Sequence, residues 1–209
     1  GRYFDFLIGG SGSRKGTDLA YKAFLAAFPQ AERGGPIARL VMKTPRGEPF
    51  HHDRVEMISG KVSAEEERDI YAAAHCYLQP SRGEGFGLQP LQALAQGCPT
   101  ILTDAHGHAS FAHLGYGISA EAKQSDYFIY GDAGDWWEPN LDELVDQMRW
   151  VYENYDEATE KAKVAANVIA HDFTWANTAE QFLNAVPDAG PFTPGEWVAP
   201  KPLRFRLRV

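Results

Sequence analysis

Residues 76–104, CYLQPSRGEGFGLQPLQALAQGCPTILTD, constrain the fold of this chain most strongly. A short apolar run ends before Pro80, a loop with three glycines covers residues 81–87, and a helical pattern follows over 88–96. Pro90 lies in the first turn of that pattern, where a missing N–H costs nothing, and Gly97 stands where a helix end favours a left-handed residue. Another apolar run begins at residue 99. This order predicts strand, glycine loop, helix and strand.

The glycine loop before that helix predicts an anion site. The first N–H groups of a helix have no partner inside it, and the helix N-terminus carries a partial positive charge, so a phosphate is favoured there. The loop also holds one carboxylate, Glu84, which would repel a phosphate. We expect Glu84 to accept hydrogen bonds from hydroxyl groups of the same ligand. The alternative is a solvated Glu84 in a loop whose glycines only form a turn.

A second unit of the same kind opens the chain. Residues 3–8 predict a buried strand, residues 9–18 read GGSGSRKGTD, and an apolar helical stripe follows, with Thr17 or Asp18 as the expected cap. This loop carries the adjacent cations Arg14 and Lys15. A guanidinium fork beside an ammonium point charge is what a diphosphate requires, whereas the alternative is a solvated basic turn.

The remaining pattern predicts an α/β domain. Further strands are expected over 38–42 and 55–58, a capping box joins Ser63 to Glu66 at a helix start, and a strongly periodic helix follows Asn140. Repeated strand–loop–helix units indicate a Rossmann-like, mostly parallel sheet flanked by helices, which we assign to residues 1–186. Residues 187–209 read as a proline-rich linker and a basic, strand-like tail that would join a sheet edge or reach a partner chain.

Charge and composition exclude several classes of protein. A net charge of −8 argues against nonspecific nucleic-acid binding, which needs a basic face. No apolar run approaches the length of a membrane span, and no signal peptide is present, so we expect a cytoplasmic protein. Cys76 and Cys98 fall in predicted core strands, so we expect both to be buried free thiols, which fits the same compartment. His106, His108 and His113 match no metal-ligand spacing, and no metal site is predicted.

The segment PSRGEGFGLQPLQALAQGCPTILTD resembles the signature of retaining GT-B glycosyltransferases of the family 4 type, PS-x-x-EGFG-x-x-x-xEA-x-A-x-G-x-PVI. The resemblance implies that the chain is the nucleotide-sugar-binding half of a GT-B fold. A complete enzyme has another Rossmann-like domain with the acceptor site, so a missing N-terminal acceptor domain or a partner chain is implied. It also implies a UDP- or GDP-sugar as donor, an acceptor that the sequence does not identify, and no cofactor or metal, because fixed cations neutralise the diphosphate.

The same resemblance implies roles for particular residues. In the family two glutamates hold the donor sugar and the ribose; Glu84 matches the first, and Gln92 stands in place of the second, which removes a charge-assisted hydrogen bond. The family's basic motif, G-R-x-x-x-x-KG, is matched by Lys15, with Gly10 in place of its arginine and Arg14 as a substitute. The other implied contacts are Gly10 and Ser11 in the first loop, Lys61 and Val62 at the base, Gly85, Phe86, Gly87 and Leu88 at the diphosphate, and Gly107 and His108 at the donor phosphate or sugar.

We therefore predict that the chain is the donor half of a glycosyltransferase that transfers a sugar with retained configuration. We expect this half to be inactive as an isolated domain. One alternative is a nucleotide-sugar-binding module without turnover, or a half-enzyme that depends on a partner. A sugar-nucleotide epimerase shares the architecture but needs catalytic acids that the sequence lacks. A purely structural role would depend on the basic tail.

Overall fold

The computed structural model describes residues 2–29, 35–44, 53–125 and 134–185. The chain divides into two units, Gly1–Asp172 and Phe173–Val209. The possible strand predicted over 127–130 and the basic tail of residues 187–209 lie outside the described residues.

Six strands of the first unit form one parallel sheet in the order β3-β2-β1-β4-β5-β6. The predicted Rossmann-like fold is therefore confirmed. The order reverses between β1 and β4, so the two predicted glycine loops, which follow these strands, flank the point where such sheets bind ligands. The strands are β1 (Tyr3–Gly9), β2 (Ile37–Thr44), β3 (Val55–Ser59), β4 (Cys76–Gln79), β5 (Thr100–Thr103) and β6 (Tyr116–Ile118).

The described part of the first unit also contains five α-helices, three short 3-10 helices and a hairpin. The helices are α1 (Thr17–Ala27), α2 (Ala64–Ala73), α3 (Leu88–Ala95), α4 (Leu141–Glu153) and α5 (Tyr155–Asp172), and an antiparallel hairpin pairs β7 (Ala120–Gln124) with β8 (Asp135–Pro139). The second unit contains α6 (Trp175–Ala185). Among the described residues, no helix combines the length and apolar character that a membrane span requires.

Alternate strand residues point to opposite faces of the sheet, and helices pack against both faces. Phe6 and Ile8 of β1 pack with residues of α1 and α4, whereas Leu7 packs with Tyr71 of α2 and Tyr77 of β4. Each fully buried side chain of this size stabilises the fold by about 1.5–3 kcal/mol. This two-sided burial fixes the strand ends that carry the candidate site.

Two of the three predicted helix N-caps are confirmed, and the third is wrong. Ser63 Oγ accepts a hydrogen bond from the Glu66 N–H, and the Glu66 carboxylate accepts one from the Ser63 N–H, as predicted. Asn140 caps α4 as predicted. The prediction of Thr17 or Asp18 as the cap of α1 is wrong: Gly16 is the N-cap, without a side-chain hydrogen bond.

Candidate functional site

A cleft of about 460 Å³ opens at the carboxyl ends of β1, β2 and β3. Three lysines lie among its lining residues, and none of the described residues that line it is acidic. Because the chain as a whole carries a net charge of −8, this concentration of ammonium groups makes the cleft the candidate anion site. The lining residues are Gly10, Lys15, Lys43, Thr44, Gly60, Lys61, Val62 and Gln89.

Four of these residues were predicted site residues, namely Gly10, Lys15, Lys61 and Val62. The sequence prediction missed Lys43, Thr44, Gly60 and Gln89. Lys43 and Thr44 directly follow the strand predicted over 38–42, and the carboxyl ends of parallel strands form the ligand-binding edge of such a sheet.

The two glycine loops meet at Glu84. Lys15 Nζ lies 2.5 Å from Glu84 Oε1, and Arg14 Nη1 lies 3.3 Å from the same oxygen. Arg14 Nη1 also donates to the Gly83 carbonyl at 2.6 Å. The Glu84 side chain is 11% exposed and that of Lys15 is 19% exposed, so solvent screens this pair little. The predicted acid and the predicted cations therefore lie together.

A close backbone contact holds the first loop against the second. Gly16 has a φ of +70°, and a Cβ at this position would lie 1.8 Å from the Pro80 carbonyl oxygen. The Arg82 N–H also donates to the Arg14 carbonyl at 2.8 Å. Only glycine combines this backbone conformation with such an approach.

Arg82 is buried behind the loops and joins three segments of the chain. Its guanidinium donates to Asp18 at 2.8 and 3.0 Å and to Glu138 at 2.6 and 2.8 Å, and it stacks on Trp136. Burial disfavours its charged form, but the hydrogen bonds to the two carboxylates outweigh that effect and raise the pKa of Arg82. Although burial opposes ionisation of Asp18, Arg82 lowers the pKa of that carboxyl. No local sequence pattern indicates this network, because its members are far apart in the chain.

The start of α3 offers the backbone N–H groups that the sequence predicted. Gly87 is the N-cap, with a φ of +98° and no side-chain hydrogen bond to the helix. Phe86 and Leu88 beside it are 42% and 63% exposed, and Gly85 is exposed as well. This helix end is therefore open to a ligand, although these residues do not line the cleft itself.

Gly107 and His108 support the second loop. The Gly107 N–H donates to the Glu84 carbonyl at 3.1 Å, and a Cβ at Gly107 would lie 2.5 Å from the Gly85 carbonyl oxygen. His108 is fully buried against Gly87, with its Nδ1 3.2 Å from the Thr103 carbonyl. Burial and the neighbouring His106 lower the pKa of His108 to about 4, so its imidazole is neutral at neutral pH.

Gln92 and Ser11 lie outside the cleft. Gln92 is exposed on α3 and lines a second cavity of about 160 Å³ together with Glu67 and Tyr71. Gln89, one turn earlier on the same helix, lines the cleft instead, and its buried Oε1 has no hydrogen-bond partner among the described residues. Ser11 is exposed in the first loop and does not line the cleft.

The histidines that the structure describes are not part of a cluster suited to a metal ion. Within the described ranges, no group of three or more His, Cys, Asp or Glu side chains could hold a metal ion. Cys76 and Cys98 are buried free thiols, and burial raises the pKa of both.

A model of the family described as "Family 4 Glycosyltransferase in conflict systems" matches residues 4–182. The chain is 30% identical over 128 residues to a mannosylfructose-phosphate synthase of Agrobacterium fabrum, a match that covers 61% of the chain and 25% of that protein. It is 43% identical over 119 residues to the lipopolysaccharide core biosynthesis mannosyltransferase LpsB of Rhizobium meliloti, covering 52% of the chain and 32% of that protein. The chain thus spans between about a quarter and a third of these curated relatives.

Solved structures share the fold. The C-terminal domain of the group 1 glycosyl transferase LpcC from Francisella tularensis aligns with a TM-score of 0.58 and 16% identity, covering 82% of this chain and 87% of that one. WaaG, a glycosyltransferase involved in lipopolysaccharide biosynthesis, aligns with a TM-score of 0.59 and 19% identity, covering 90% of this chain and 48% of that one. The predicted relation to the C-terminal half of family 4-like GT-B proteins is confirmed.

Proposed function

The chain belongs to the family 4 glycosyltransferases in conflict systems, and from this premise we propose that it binds a nucleoside diphosphate sugar and serves as the donor half of a retaining glycosyl transfer. The observation that carries the proposal is the contact of Lys15 with Glu84 beside a cleft lined by lysines. One group neutralises phosphate and the other accepts hydrogen bonds from hydroxyls, and a nucleotide sugar presents both chemistries next to each other.

The diphosphate binds against Lys15 and Arg14, with the open N–H groups at the start of α3 completing its contacts. An ammonium has three N–H donors, so Lys15 keeps two for phosphate oxygens while one contacts Glu84. As the bond to the sugar breaks, negative charge grows on the leaving diphosphate, and preorganised cations stabilise it. The nucleoside lies toward Lys61 and Val62, at the other end of the cleft.

The identities of the donor sugar and of the acceptor are further proposals that depend on this function. One relative is named a mannosyltransferase and another a mannosylfructose-phosphate synthase, so GDP-mannose is the first donor to test. These relatives are several times longer than the segment they share with this chain. We propose that an acceptor domain or a partner chain supplies the acceptor site.

A binding module without turnover is the second candidate. Gln92 carries an amide where the family signature has a carboxylate, and it lies outside the cleft, so one contact implied for the ribose is not supported. The pocket would then bind a nucleotide sugar and report its presence rather than transfer the sugar.

Isothermal titration of the full chain with UDP, GDP, UDP-glucose and GDP-mannose tests the proposal. We expect micromolar to millimolar binding of one nucleotide series, lost in K15A and retained in K22A, a substitution of an exposed lysine on α1. Release of nucleoside diphosphate from the bound sugar nucleotide separates transferase from module. Absence of binding to every nucleotide contradicts both candidates.

A further inference from the structure

Lys43 is the penultimate residue of β2 and lies directly beside the first glycine loop. It is in register with Gly9 of β1, and its carbonyl accepts a hydrogen bond from the Gly10 N–H at 2.9 Å. Its side chain is 15% exposed and lines the same cleft as Lys15. Two adjacent parallel strands therefore bring one ammonium each to a shared cavity.

A carboxylate on α2 holds the Lys43 ammonium. Lys43 Nζ lies 2.5 Å from Glu67 Oε1, and Tyr71 Oη donates to the same oxygen at 3.4 Å. Glu67 lines the second cavity rather than the cleft, so this ion pair stands at the boundary between the two. One N–H of the ammonium is directed at Glu67, which leaves two donors for a ligand in the cleft.

Arg14 does not line the cleft and Lys15 contacts Glu84, so a diphosphate inside the cleft would be held more strongly by a further cation. Position 10 cannot supply it. Gly10 has a φ of +97°, a conformation strained for any other residue, and a Cβ there would lie 3.0 Å from Lys15 Cγ. Lys43, on the neighbouring strand, lines the same cleft and carries such a cation.

Two further polar groups indicate that the cleft holds a ligand at this point. Thr44 is 5% exposed and lines the cleft, and its Oγ1 has no hydrogen-bond partner among the residues that the structure describes. Gln89 also lines the cleft, and its buried Oε1 likewise has no hydrogen-bond partner among the described residues. Buried polar atoms are rarely left unpaired in a protein, so a bound molecule is the natural partner of both.

We propose that Lys43 supplies a further cation for the diphosphate, in addition to Lys15 and Arg14, and that Glu67 positions it. The inference rests on the proposed function, which provides a ligand with a diphosphate. It assigns a binding role to a residue on β2, outside both glycine loops.

The test compares nucleoside diphosphates with their nucleosides by isothermal titration of the full chain. We expect K43A to weaken UDP or GDP binding by about tenfold to a hundredfold, the range for hydrogen bonds to charged groups, with uridine or guanosine binding unchanged. K43R should recover most of the affinity because it restores the charge. E67Q should weaken binding less than K43A does, since it loosens the position of the Lys43 ammonium but keeps its charge. K22A is the matched control.

The alternative is that Lys43 only neutralises Glu67. In that case K43A and E67Q lose thermal stability alike, and neither changes the difference in affinity between nucleoside diphosphate and nucleoside. That result, or K43A binding UDP and GDP as K22A does, overturns the inference and leaves the proposed function intact. Titration with inorganic pyrophosphate tests the role of Lys43 in the case where the chain binds no nucleotide. A wild-type chain that binds neither nucleotides nor pyrophosphate overturns both proposals, whereas pyrophosphate binding that is lost in K43A supports Lys43 alone.

Discussion

Lys15 Nζ and Glu84 Oε1 lie 2.5 Å apart, and this contact joins the loop after β1 to the loop after β4. The pair lies at the reversal of strand order, where the carboxyl ends of two adjacent parallel strands bring distant segments together. The proposed cation for phosphate and the proposed carboxylate for hydroxyls thus lie together, and their opposite charges compensate each other.

Substitution of Glu84 should separate sugar recognition from nucleotide recognition. We expect E84Q to weaken binding of the donor sugar nucleotide by about tenfold, because an amide replaces a charged acceptor of sugar hydroxyls. Binding of the corresponding nucleoside diphosphate should change by less than about threefold, since Lys15 keeps its charge. Titration of both ligands measures the difference. E153Q, at an exposed position of α4, is the control, and equal losses for both ligands would contradict the assignment.

The two glutamines of α3 should differ in their effect on binding. Q89A removes a group that lines the cleft, so we expect nucleotide affinity to fall about twofold to tenfold, as for a neutral hydrogen bond. Q92A removes an exposed amide that lines the second cavity, and its effect should stay within about twofold. Both substitutions favour the helix, so differences in folding are small. A larger effect of Q92A would restore the role that the family signature implies.

Local sequence predicted the two strand–loop–helix units because apolar periodicity and glycine positions are local properties. It also predicted that Lys15 and Glu84 meet, since the ends of parallel strands share one edge of the sheet. Lys43 could not be assigned in the same way. Its place beside Gly10 depends on β2 pairing with β1, and no pattern within residues 37–44 encodes that pairing.

The orientation of α3 shows the same limit. Gln89 and Gln92 lie on one helix, and the face that turns to the cleft is set by the burial of Leu91 and Leu94 against the rest of the fold. The signature assigned the ligand contact to Gln92 from its sequence position. Tertiary packing, which cannot be deduced from a single sequence, brings Gln89 to the cleft instead.

Loss of Arg82 should destabilise the fold more than loss of an exposed arginine. R82M leaves Asp18 and Glu138 without their shared cation, and we expect about 2 kcal/mol of lost stability, less than for a fully buried pair because both carboxylates are partly exposed. Urea unfolding measures the change. R68A removes an exposed arginine paired with Asp69 and should cost about 0.5 kcal/mol or less. Equal effects of the two variants would show that the Arg82 network contributes little.

Gly16 should tolerate no side chain. In G16A the new Cβ would lie 1.8 Å from the Pro80 carbonyl oxygen, so the two loops must separate, and we expect more than about 3 kcal/mol of destabilisation or failure to fold. G12A is the matched control, because Gly12 also has a positive φ but a Cβ there meets nothing within 4 Å. It should cost only about 1 kcal/mol, the penalty of the backbone conformation. Thermal unfolding of both variants separates the clash from the strain.

His108 should make stability depend on pH below neutrality. Its pKa in the folded protein is lowered to about 4, mainly by burial, whereas an unfolded chain has the usual value of about 6.5. The unfolded state therefore binds more protons between these values, and stability falls as the pH decreases from about 6.5 to 4. The full contribution is present above pH 6.5 and amounts to about 3 kcal/mol at most.

The difference between the wild-type chain and H108Q isolates this contribution from that of other groups. His106 titrates in the same direction, since burial lowers its pKa too, and it remains in both proteins. We expect urea-derived stabilities of the two proteins to converge as the pH falls from 6.5 toward 4, because H108Q has no imidazole to protonate. H113Q, at an exposed position, should follow the wild-type profile. Parallel profiles of wild type and H108Q would mean that His108 titrates at its ordinary pKa, and the depressed value would be wrong.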